Sequence, residues 1–212
     1  MRPEDFYGNI LGLTDQKLIS EAVKASEFRT LRQGEYLIRQ GTIPTQLHFL
    51  LEGIVRGFML DVNGRDITDC ICFRRGEPIM PDNDFTQPAS ITIEALEDCE
   101  LICIPLVEVE HMLKNYPFLW ELYQRFLLHS ANMHRELKIA TYQYSAVQRY
   151  QWFLEKYPGL IDQIPHKYIA SLLNMTPVTL SKMRKILKEN GGGPLWEQKP
   201  EARPGEKTGG TK

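Results

Sequence analysis

The spacing of hydrophobic residues changes twice along the chain. Residues 14–26 begin with a capping Thr or Asp and carry apolar residues at helical spacing, which predicts a short helix. Residues 28–104 instead show short apolar runs separated by turn residues, a pattern typical of closely spaced strands. Between two of these runs, Asn63 and Gly64 predict a two-residue hairpin turn because both tolerate positive φ. The middle of the chain is therefore predicted to be a compact antiparallel barrel or roll.

Helical spacing returns after Pro105 and continues along most of the remaining chain. Residues 106–116 predict a short helix that stops near Pro117, and residues 118–141 predict a long helix. Another helix is predicted at residues 145–157. The long helix places five apolar residues near one face: Leu119, Leu122, Phe126, Met133 and Leu137. This face either covers the β-roll or pairs with a second copy as a coiled coil, and periodicity alone favours neither alternative.

Residues 166–185 fit the pattern of a helix-turn-helix. When His166 is taken as the first position, the inner positions of both helices are apolar, and Ala170 is the small residue that lets the helices approach each other. Asn174 falls at the turn, where a positive φ is needed. Thr176 is a good N-cap, and Pro177 suits the first turn of the second helix. Each structurally demanding position is thus filled by a suitable residue type.

The outer and flanking positions of this segment carry residues suited to DNA, because the second helix of a helix-turn-helix enters the major groove. Val178 can contact a thymine methyl group, and Lys182 can reach guanine O6 and N7. The predicted DNA-binding residues, some of which would hold phosphates, are Lys167, Thr176, Pro177, Val178, Thr179, Ser181, Lys182 and Lys185. The alternative is an ordinary helical hairpin with a solvated basic face.

Charge is distributed unevenly along a chain of 212 residues with a net charge of -2. Residues 163–188 hold five Lys or Arg and no Asp or Glu, whereas residues 189–212 balance four basic against four acidic residues. Since the total is -2, residues 1–162 carry -7. A basic segment on an acidic body is expected of a module that faces phosphates.

Composition narrows the class of protein. With 42% hydrophobic and 25% charged residues the chain is an ordinary globular one, and no apolar run reaches the ~18 residues of a membrane span. The N-terminus has no signal-peptide pattern, so we expect a cytoplasmic protein without a membrane partner. Residues 191–212 are rich in Gly, Pro and charge, which predicts a disordered tail.

The four cysteines all fall in the region predicted to be strands. They are Cys70, Cys72, Cys99 and Cys103, and they form no CxxC pair. Buried thiols are the expected state, and we expect no metal and no cofactor. In a strand Cys70 and Cys72 would point to one face, as would Cys99 and Cys103, so a soft-metal or redox cluster is the other interpretation.

Residues 31–58, LRQGEYLIRQGTIPTQLHFLLEGIVRGF, resemble the opening of a cyclic-nucleotide-binding β-roll, with a Gly-Glu turn, a second Gly, an apolar strand and an EGxV turn. With the long helix, the Tyr-Pro-Gly break and the helix-turn-helix, residues 10–188 resemble the Crp/Fnr transcriptional regulators. The resemblance implies an α+β fold with an N-terminal antiparallel, jelly-roll-like β-roll, a long central dimerisation helix and an all-α helix-turn-helix domain. The boundaries implied are 1–116 for the roll, 117–141 for the central helix and 142–190 for the DNA-binding domain.

Departures from the family concern its ligand. In the family, an Arg followed by Ser or Thr holds the cyclic-nucleotide phosphate, and here QPASITIEAL puts Ala89 at the Arg position and leaves Ser90. In the family, the Glu of a Gly-Glu pair binds the ribose. If Gly76-Glu77 is the turn before that pair, the pair falls at Met80-Pro81 and the Glu is missing. If Gly76-Glu77 is the pair itself, the chain has the ribose-binding Glu but still lacks the phosphate-binding Arg. Residues 76–100 contain seven acidic residues and no Lys or Arg, and a buried phosphate needs cationic or helix-end partners. Cyclic AMP is therefore not expected as the ligand.

Further departures from the family concern the effector pocket and the residues that read the operator. The tentative effector pocket comprises Met80, Phe85, Ala89 and Ser90, and it either binds a neutral or cationic molecule, is filled by its own side chains, or is vestigial. Family members that read guanine and cytosine with Arg and Glu carry them where this chain has Pro177 and Val178. A different operator is therefore expected.

The sequence thus predicts a dimeric, sequence-specific transcription regulator that does not respond to cyclic AMP. Its expected partners are double-stranded DNA with a palindromic operator, a second copy of the chain and an unidentified small-molecule effector, with RNA polymerase as a further candidate. The alternative is a ligand, redox or metal sensor that acts by protein contact without specific DNA reading. An enzyme is not expected, because no GxSxG, P-loop, HExxH or Gly-rich dinucleotide turn appears.

Overall fold

The computed structural model describes residues 2–82 and 84–189. Its N-terminal part consists of a helical turn α1 (Pro3–Asp5) that continues into a π-helical turn (Phe6–Ile10), followed by helix α2 (Gln16–Ala25). The Asp15 carboxylate accepts hydrogen bonds from two backbone N–H groups at the start of α2, at 2.9 and 3.0 Å. This cap confirms the predicted helix start. The tail predicted at residues 191–212 lies outside the described residues.

The middle of the chain is a β-roll of two four-stranded sheets. The strands are β1 (Glu27–Leu31), β2 (Tyr36–Ile38), β3 (Gln46–Glu52), β4 (Val55–Leu60), β5 (Asp66–Cys72), β6 (Pro78–Ile79), β7 (Thr92–Ala95) and β8 (Cys99–Pro105). The first sheet has the order β1-β8-β3-β6 and the second the order β2-β7-β4-β5, and all neighbouring strands are antiparallel. The predicted antiparallel roll is confirmed.

The hairpin between β4 and β5 forms where it was predicted but with a different turn. Leu60 pairs with Asp66, and the Asp61 N–H donates to the Arg65 carbonyl, so three residues remain in the loop. Only Gly64 in this loop has a positive φ, of 74°. The two-residue turn was therefore wrong; a longer loop that ends in a left-handed Gly replaces it, a common solution for hairpins.

Strand β5 contains a bulge that changes the direction of its side chains. Gly57 of β4 pairs with Cys70, whereas the next residue, Phe58, pairs with Thr68, so Asp69 is the extra residue. Because side chains alternate along a strand, the extra residue reverses which face the following residues occupy. Asp66 and Thr68 lie on the outer surface of the second sheet, and Cys70 and Cys72 face the interior of the roll.

The helices after the roll are α3 (Leu106–Asn115), α4 (Leu119–Gln143), α5 (Ala146–Lys156), α6 (His166–Leu172) and α7 (Pro177–Glu189), with a 3-10 turn (Leu160–Asp162) before α6. All the helices predicted for this part of the chain are confirmed. Ser145 and Gln148 form a reciprocal capping box at the start of α5.

Three hydrophobic cores hold these elements together. One fills the roll itself, and a second lies between the first sheet and the N-terminal and central helices. The third joins α5, α6 and α7 to the outer surface of the second sheet, through Ile54, Ile71 and Leu96. The C-terminal helices are therefore packed directly against the roll.

Candidate nucleic-acid interface and ligand cavity

Helices α6 and α7 form the predicted helix-turn-helix. Asn174, at the turn, has a φ of 49° and is the only described non-Gly residue with positive φ. The turn is closed by a backbone hydrogen bond of 2.9 Å from the Met175 N–H to the Ala170 carbonyl. Ala170 and Leu180 are fully buried, so the two helices approach closely there. The residue types predicted for the turn and the inner faces occupy those places.

The start of α7 is fixed by its cap. The Thr176 hydroxyl accepts from the Thr179 backbone N–H at 3.1 Å and lies 2.9 Å from the Thr179 hydroxyl. Pro177 is the first residue of the helix. Both Thr hydroxyls, which belong to residues predicted to bind DNA, are thus already engaged in hydrogen bonds at the start of the helix.

One exposed stripe runs along α7. It consists of Val178, Ser181, Lys182 and Lys185, which recur at helical spacing and are all exposed, Val178 to 65%. Lys185 lies 3.7 Å from Glu189, a contact between exposed side chains that a phosphate can displace. Lys167, on α6, lies over the Tyr168 ring at 4.7 Å. The side chains predicted to touch bases are therefore presented to solvent on one face.

Two arginines near this interface serve the fold. Arg184 of α7 donates to the His166 ring at 2.8 Å and lies 3.6 Å from Asp162, so it ties α7 to the start of α6. Arg149 of α5 donates to the Asn174 carbonyl at 3.2 Å and so supports the turn. Sequence spacing carried no signal for either role, because both partners are distant in sequence.

Helix α6 is attached to strand β5. The Ser171 hydroxyl accepts from the Thr68 backbone N–H at 2.9 Å and donates to the Asp66 carbonyl at 3.2 Å. Strand β5 is at the edge of its sheet, so these backbone groups lack a neighbouring strand on that side. Ser171 satisfies them and joins the helix-turn-helix to the roll.

A buried guanidinium lies beside this attachment. Arg56 of β4, 2% exposed, donates to the Glu94 carboxylate at 2.5 Å, forms an ion pair with Asp66, and donates to the Thr68 hydroxyl at 3.0 Å. Burial opposes the charged form, but the hydrogen bonds that Arg56 donates to Asp66 and Glu94, together with the charges of those carboxylates, outweigh it, so the pKa of Arg56 is raised. Its guanidinium carbon lies 3.7 Å from the centre of the Tyr168 ring of α6, a cation–π contact between the roll and the helix-turn-helix.

A cavity of about 400 Å³ lies between β5, β6 and the middle of α4. Its walls are formed by Asp69, Cys70, Ile71, Cys72, Arg74, Glu77, Pro78, Met80, Pro81, Asp82, Ser90, Ile91, Phe126, His129, Ser130, Ala131, Met133, His134, Leu137 and Tyr157. This is the volume expected of a small-molecule site. The part contributed by α4 and by Arg74 was missed from the sequence, although the inward spacing along α4 was the available signal.

The cavity includes only half of the tentative effector pocket. Met80 and Ser90 line it, whereas Phe85 and Ala89 are not part of its wall. Ala89, the residue at the position of the family's phosphate-binding Arg, is 3% exposed and packs in the roll core. It is held there by the Thr42 carbonyl, which accepts from its N–H at 2.8 Å. Ala89 therefore does not line this cavity, and its place in an effector pocket stays a prediction.

Two carboxylates of the cavity wall support the backbone. Glu77 accepts from the Phe73 and Arg74 N–H groups, each at 3.1 Å, and Asp82 accepts from the Ser90 N–H at 2.7 Å. Arg74 donates to the Lys156 carbonyl at 2.7 Å. The charges around the cavity thus also hold its walls in place.

His134 connects α4 to the bulge of β5. Its Nε2 lies 3.3 Å from the Asp69 carboxylate, and its Nδ1 lies 3.0 Å from the Ser130 carbonyl. The hydrogen bond to Asp69 raises the pKa of His134 to about 9, against an opposing effect of burial. The imidazole is therefore protonated at neutral pH and forms an ion pair across the cavity wall.

The four cysteines divide into two pairs. Cys70 and Cys72 are half-buried and line the cavity, whereas Cys99 and Cys103 are fully buried in the roll core. Cys103 lies 3.2 Å from the ring of His48, itself buried. A hydrogen bond with Cys70 and burial raise the pKa of Cys72 well above its usual value. Across the described residues, no group of three or more His, Cys, Asp or Glu side chains is arranged to hold a metal ion.

The five side chains predicted to join two copies of the chain are half-buried against this chain. Leu119 and Phe126 pack into the core beneath the first sheet, Met133 and Leu137 pack against the C-terminal core, and Leu122 lines a groove beside residues 11–14. These residues therefore cover cores of their own chain, which is the first of the two alternatives for this face of α4. Their part in pairing two copies stays a prediction. The more exposed apolar residues of α4 are Trp120, Leu128 and Tyr142.

Residues 28–116 match the cyclic nucleotide-binding domain family. No curated protein sequence matches the chain. None of the helices described is long and apolar enough to cross a membrane.

Several solved structures share the fold. FixK2 from Bradyrhizobium japonicum matches with a TM-score of 0.70 at 14% identity, over 78% of this chain and 86% of that one. The c-di-GMP responsive regulator CLP from Xanthomonas campestris matches with a TM-score of 0.68 at 14% identity, over 84% and 93%. A transcriptional regulator of the crp/fnr family from Eubacterium rectale matches with a TM-score of 0.66 at 16% identity, over 88% and 87%. At these identities the similarity is one of fold.

Proposed function

We propose that this chain, which carries a cyclic nucleotide-binding domain within the fold of the Crp/Fnr regulators, is a dimeric, sequence-specific DNA-binding transcription regulator that does not respond to cyclic AMP. Its proposed localisation is the cytoplasm, where it would encounter both DNA and the effector. It would act by binding, without catalysing a reaction.

The observation that carries the proposal is the exposed stripe of α7. Val178, Ser181 and Lys182 project from a helix whose start is fixed by a cap and whose inner face is buried against α5 and α6. A rigid helix with an apolar side chain, a hydroxyl and an ammonium group on one face suits the edges of bases in a major groove. The absence of acidic residues from 163–188 favours approach to phosphates.

A dimer is proposed along α4. Leu128 is 63% exposed and Trp120 is 49% exposed, and both belong to α4. Large apolar side chains on an exposed helix face are typical of an interface. The half-buried Leu119, Leu122, Phe126, Met133 and Leu137 would then support the paired helices from beneath. Pairing two α7 helices would match a palindromic operator.

The cavity supports the exclusion of cyclic AMP. Ala89 packs in the core where a phosphate would need a cation, and Asp69, Glu77 and Asp82 line the cavity wall. A cyclic phosphate placed there would meet carboxylates with only Arg74 and His134 in compensation. We therefore expect a neutral or cationic effector.

The test is selection of the purified chain against a randomised duplex pool at near-physiological salt, followed by sequencing of the bound fraction. Enrichment of a two-fold symmetric motif, with half-sites about one helical turn apart, is expected. Binding of bulk DNA without any enriched motif, in the presence and absence of candidate effectors, would contradict sequence-specific reading.

A sensor that acts by protein contact is the second candidate. It is favoured by the tip of the β4–β5 hairpin, where Leu60 is 58% exposed and Val62 is fully exposed. Apolar side chains at a protruding tip suit a protein partner. Failure to bind any duplex, combined with ligand binding to the roll, would favour this candidate over the first.

A further inference from the structure

Four sulfur atoms line the cavity between the roll and α4. Two are the thiols of Cys70 and Cys72, and two are the thioethers of Met80 and Met133. We propose that this cavity binds a thiophilic metal ion, best matched by Cu(I), through the thiolates of Cys70 and Cys72.

The bulge in β5 brings the two thiols to the same wall. Because Asp69 is the extra residue, Cys70 and Cys72 alternate onto the inner face, opposite Gly57 and Val55 of β4. Gly57 makes room for the first sulfur, since a Cβ atom there would lie 2.6 Å from Cys70 Sγ. Both cysteines keep intermediate exposure, so an ion can reach them from the cavity.

The donor set selects the ion. Thiolate and thioether ligands favour Cu(I) over hard cations, which prefer oxygen ligands. Zinc prefers four nitrogen, sulfur or oxygen ligands in a tetrahedron. Over the described residues no such group of three or more His, Cys, Asp or Glu exists, whereas Cu(I) is satisfied by two thiolates in a nearly linear arrangement. Met80 and Met133 would supply weaker, additional contacts.

The surrounding charges fit the complex that would form. Cu(I) replaces the two thiol protons, so the product is a bis-thiolate with one negative charge and two protons pass to solvent. Asp69, Glu77 and Asp82 line the same cavity and favour the entry of a cation, and the Arg74 guanidinium offsets part of the negative charge of the complex.

Binding at this wall would be transmitted along one strand. Asp69 contacts His134 of α4, and the Thr68 N–H donates to Ser171 of α6, so the residues directly before the thiols touch both the central helix and the helix-turn-helix. An ion that draws Cys70 and Cys72 together would alter these two contacts. This regulatory part rests on the proposed function, whereas metal binding itself does not.

The first experiment titrates Cu(I) into the full metal-free chain without oxygen, in competition with a chromophoric Cu(I) chelator. One ion per chain is expected, with affinity lowered about a hundredfold or more in Cys70→Ser and in Cys72→Ser. Cys99→Ser is the matched control, because Cys99 is buried in the roll core and does not line the cavity, and it should bind as the wild type does. Circular dichroism verifies the fold of each variant.

Equal affinity in the wild type and the Cys70→Ser, Cys72→Ser double variant would overturn the proposal. So would a loss in Cys99→Ser as large as in the cavity variants while its fold is intact. Operator binding is then measured with and without Cu(I). If Cu(I) changes the operator affinity of the wild type but not that of Cys70→Ser, regulation by the metal is supported. If the operator affinity is unchanged with the metal bound, the regulatory part of the proposal is wrong and the metal site stands alone.

Discussion

His134 is the residue at which α4, the cavity and the bulge of β5 meet. Its imidazolium pairs with Asp69, which holds its pKa at about 9. A His in the unfolded chain titrates near 6.5, so the stabilisation is fully present below that pH and is lost as the pH rises through about 9. The side chain is 48% exposed, so solvent screening keeps the contribution below about 1 kcal/mol.

We therefore expect His134→Gln to be less stable than the wild type at about pH 6 and equally stable at about pH 10. Urea unfolding at both pH values measures the difference. Asp69→Asn should show the same pH dependence, because it removes the same pair. A gap between wild type and variant that does not change with pH would contradict this assignment.

In the proposed DNA interface, Lys182 is the side chain expected to contact a base edge. Lys182→Ala should reduce the preference for the selected operator over random duplex by about 1–3 kcal/mol, since it removes one contact to a base edge. Competition binding with both duplexes measures this preference. Lys114→Ala, an exposed residue of α3 far from α7, is the control and should leave it unchanged. Equal preference in Lys182→Ala and wild type would show that Lys182 reads no base.

At the level of elements, the second sheet and α6 are joined by polar contacts around Arg56. Replacing Arg56 by Met leaves Glu94, 9% exposed, without its partner. Loss of one member of a buried pair costs about 3–5 kcal/mol. Arg32→Met is the matched control, because Arg32 and Asp98 form an exposed pair at 2.7 Å, and it should cost at most about 1 kcal/mol.

Chemical unfolding of both Arg variants tests this difference. If Arg56→Met and Arg32→Met were equally stable, the guanidinium would not hold the sheet to α6. Because Tyr168 lies over Arg56, Arg56→Met should also loosen the helix-turn-helix relative to the roll, visible as faster amide exchange in α6.

The elements were predicted well because each has a local cause. Apolar spacing, Asp15, Ser145 and Thr176 mark the helices and their starts, and Asn174 marks the turn. The bulge at Asp69 could not be predicted, because it depends on how β4 and β5 pair and not on the residues of β5 alone. The cavity depends on the same pairing and on the packing of α4, so only Met80 and Ser90 of its wall were anticipated.

At the scale of the whole molecule, the fold implied by the resemblance to the Crp/Fnr regulators is confirmed by the matched domain and by the shared fold. The docking of the C-terminal helices on the second sheet was not predicted. It requires Ile54, Ile71 and Leu96 to lie on the outer surface of the roll, and sequence alternation alone does not say which face of a strand is inside. The apolar face of α4 likewise had two interpretations, because helical spacing does not say whether that face covers the roll or a second copy of the chain.

The proposed dimer makes a prediction at this scale. Leu128→Glu should weaken self-association about tenfold or more, because a charge would be buried where α4 meets its counterpart. Val107→Glu is the matched control, since Val107 is 68% exposed on α3 and Leu128 is 63% exposed on α4. Sedimentation velocity over a range of concentrations measures both. Identical association in Leu128→Glu and wild type would place the interface elsewhere.

The bulge at Asp69 also has a consequence for how this chain can change by mutation. Loss of that one codon would restore strict alternation in β5 and exchange the faces of every residue on one side of it. The cavity thiols would then turn outward, or Thr68 and Asp66 would turn inward, away from Ser171 and Arg56. A single in-frame deletion would thus separate the cavity wall from the contacts with α6, which makes this codon a point where the coupling between the two can be lost or acquired in one genetic step.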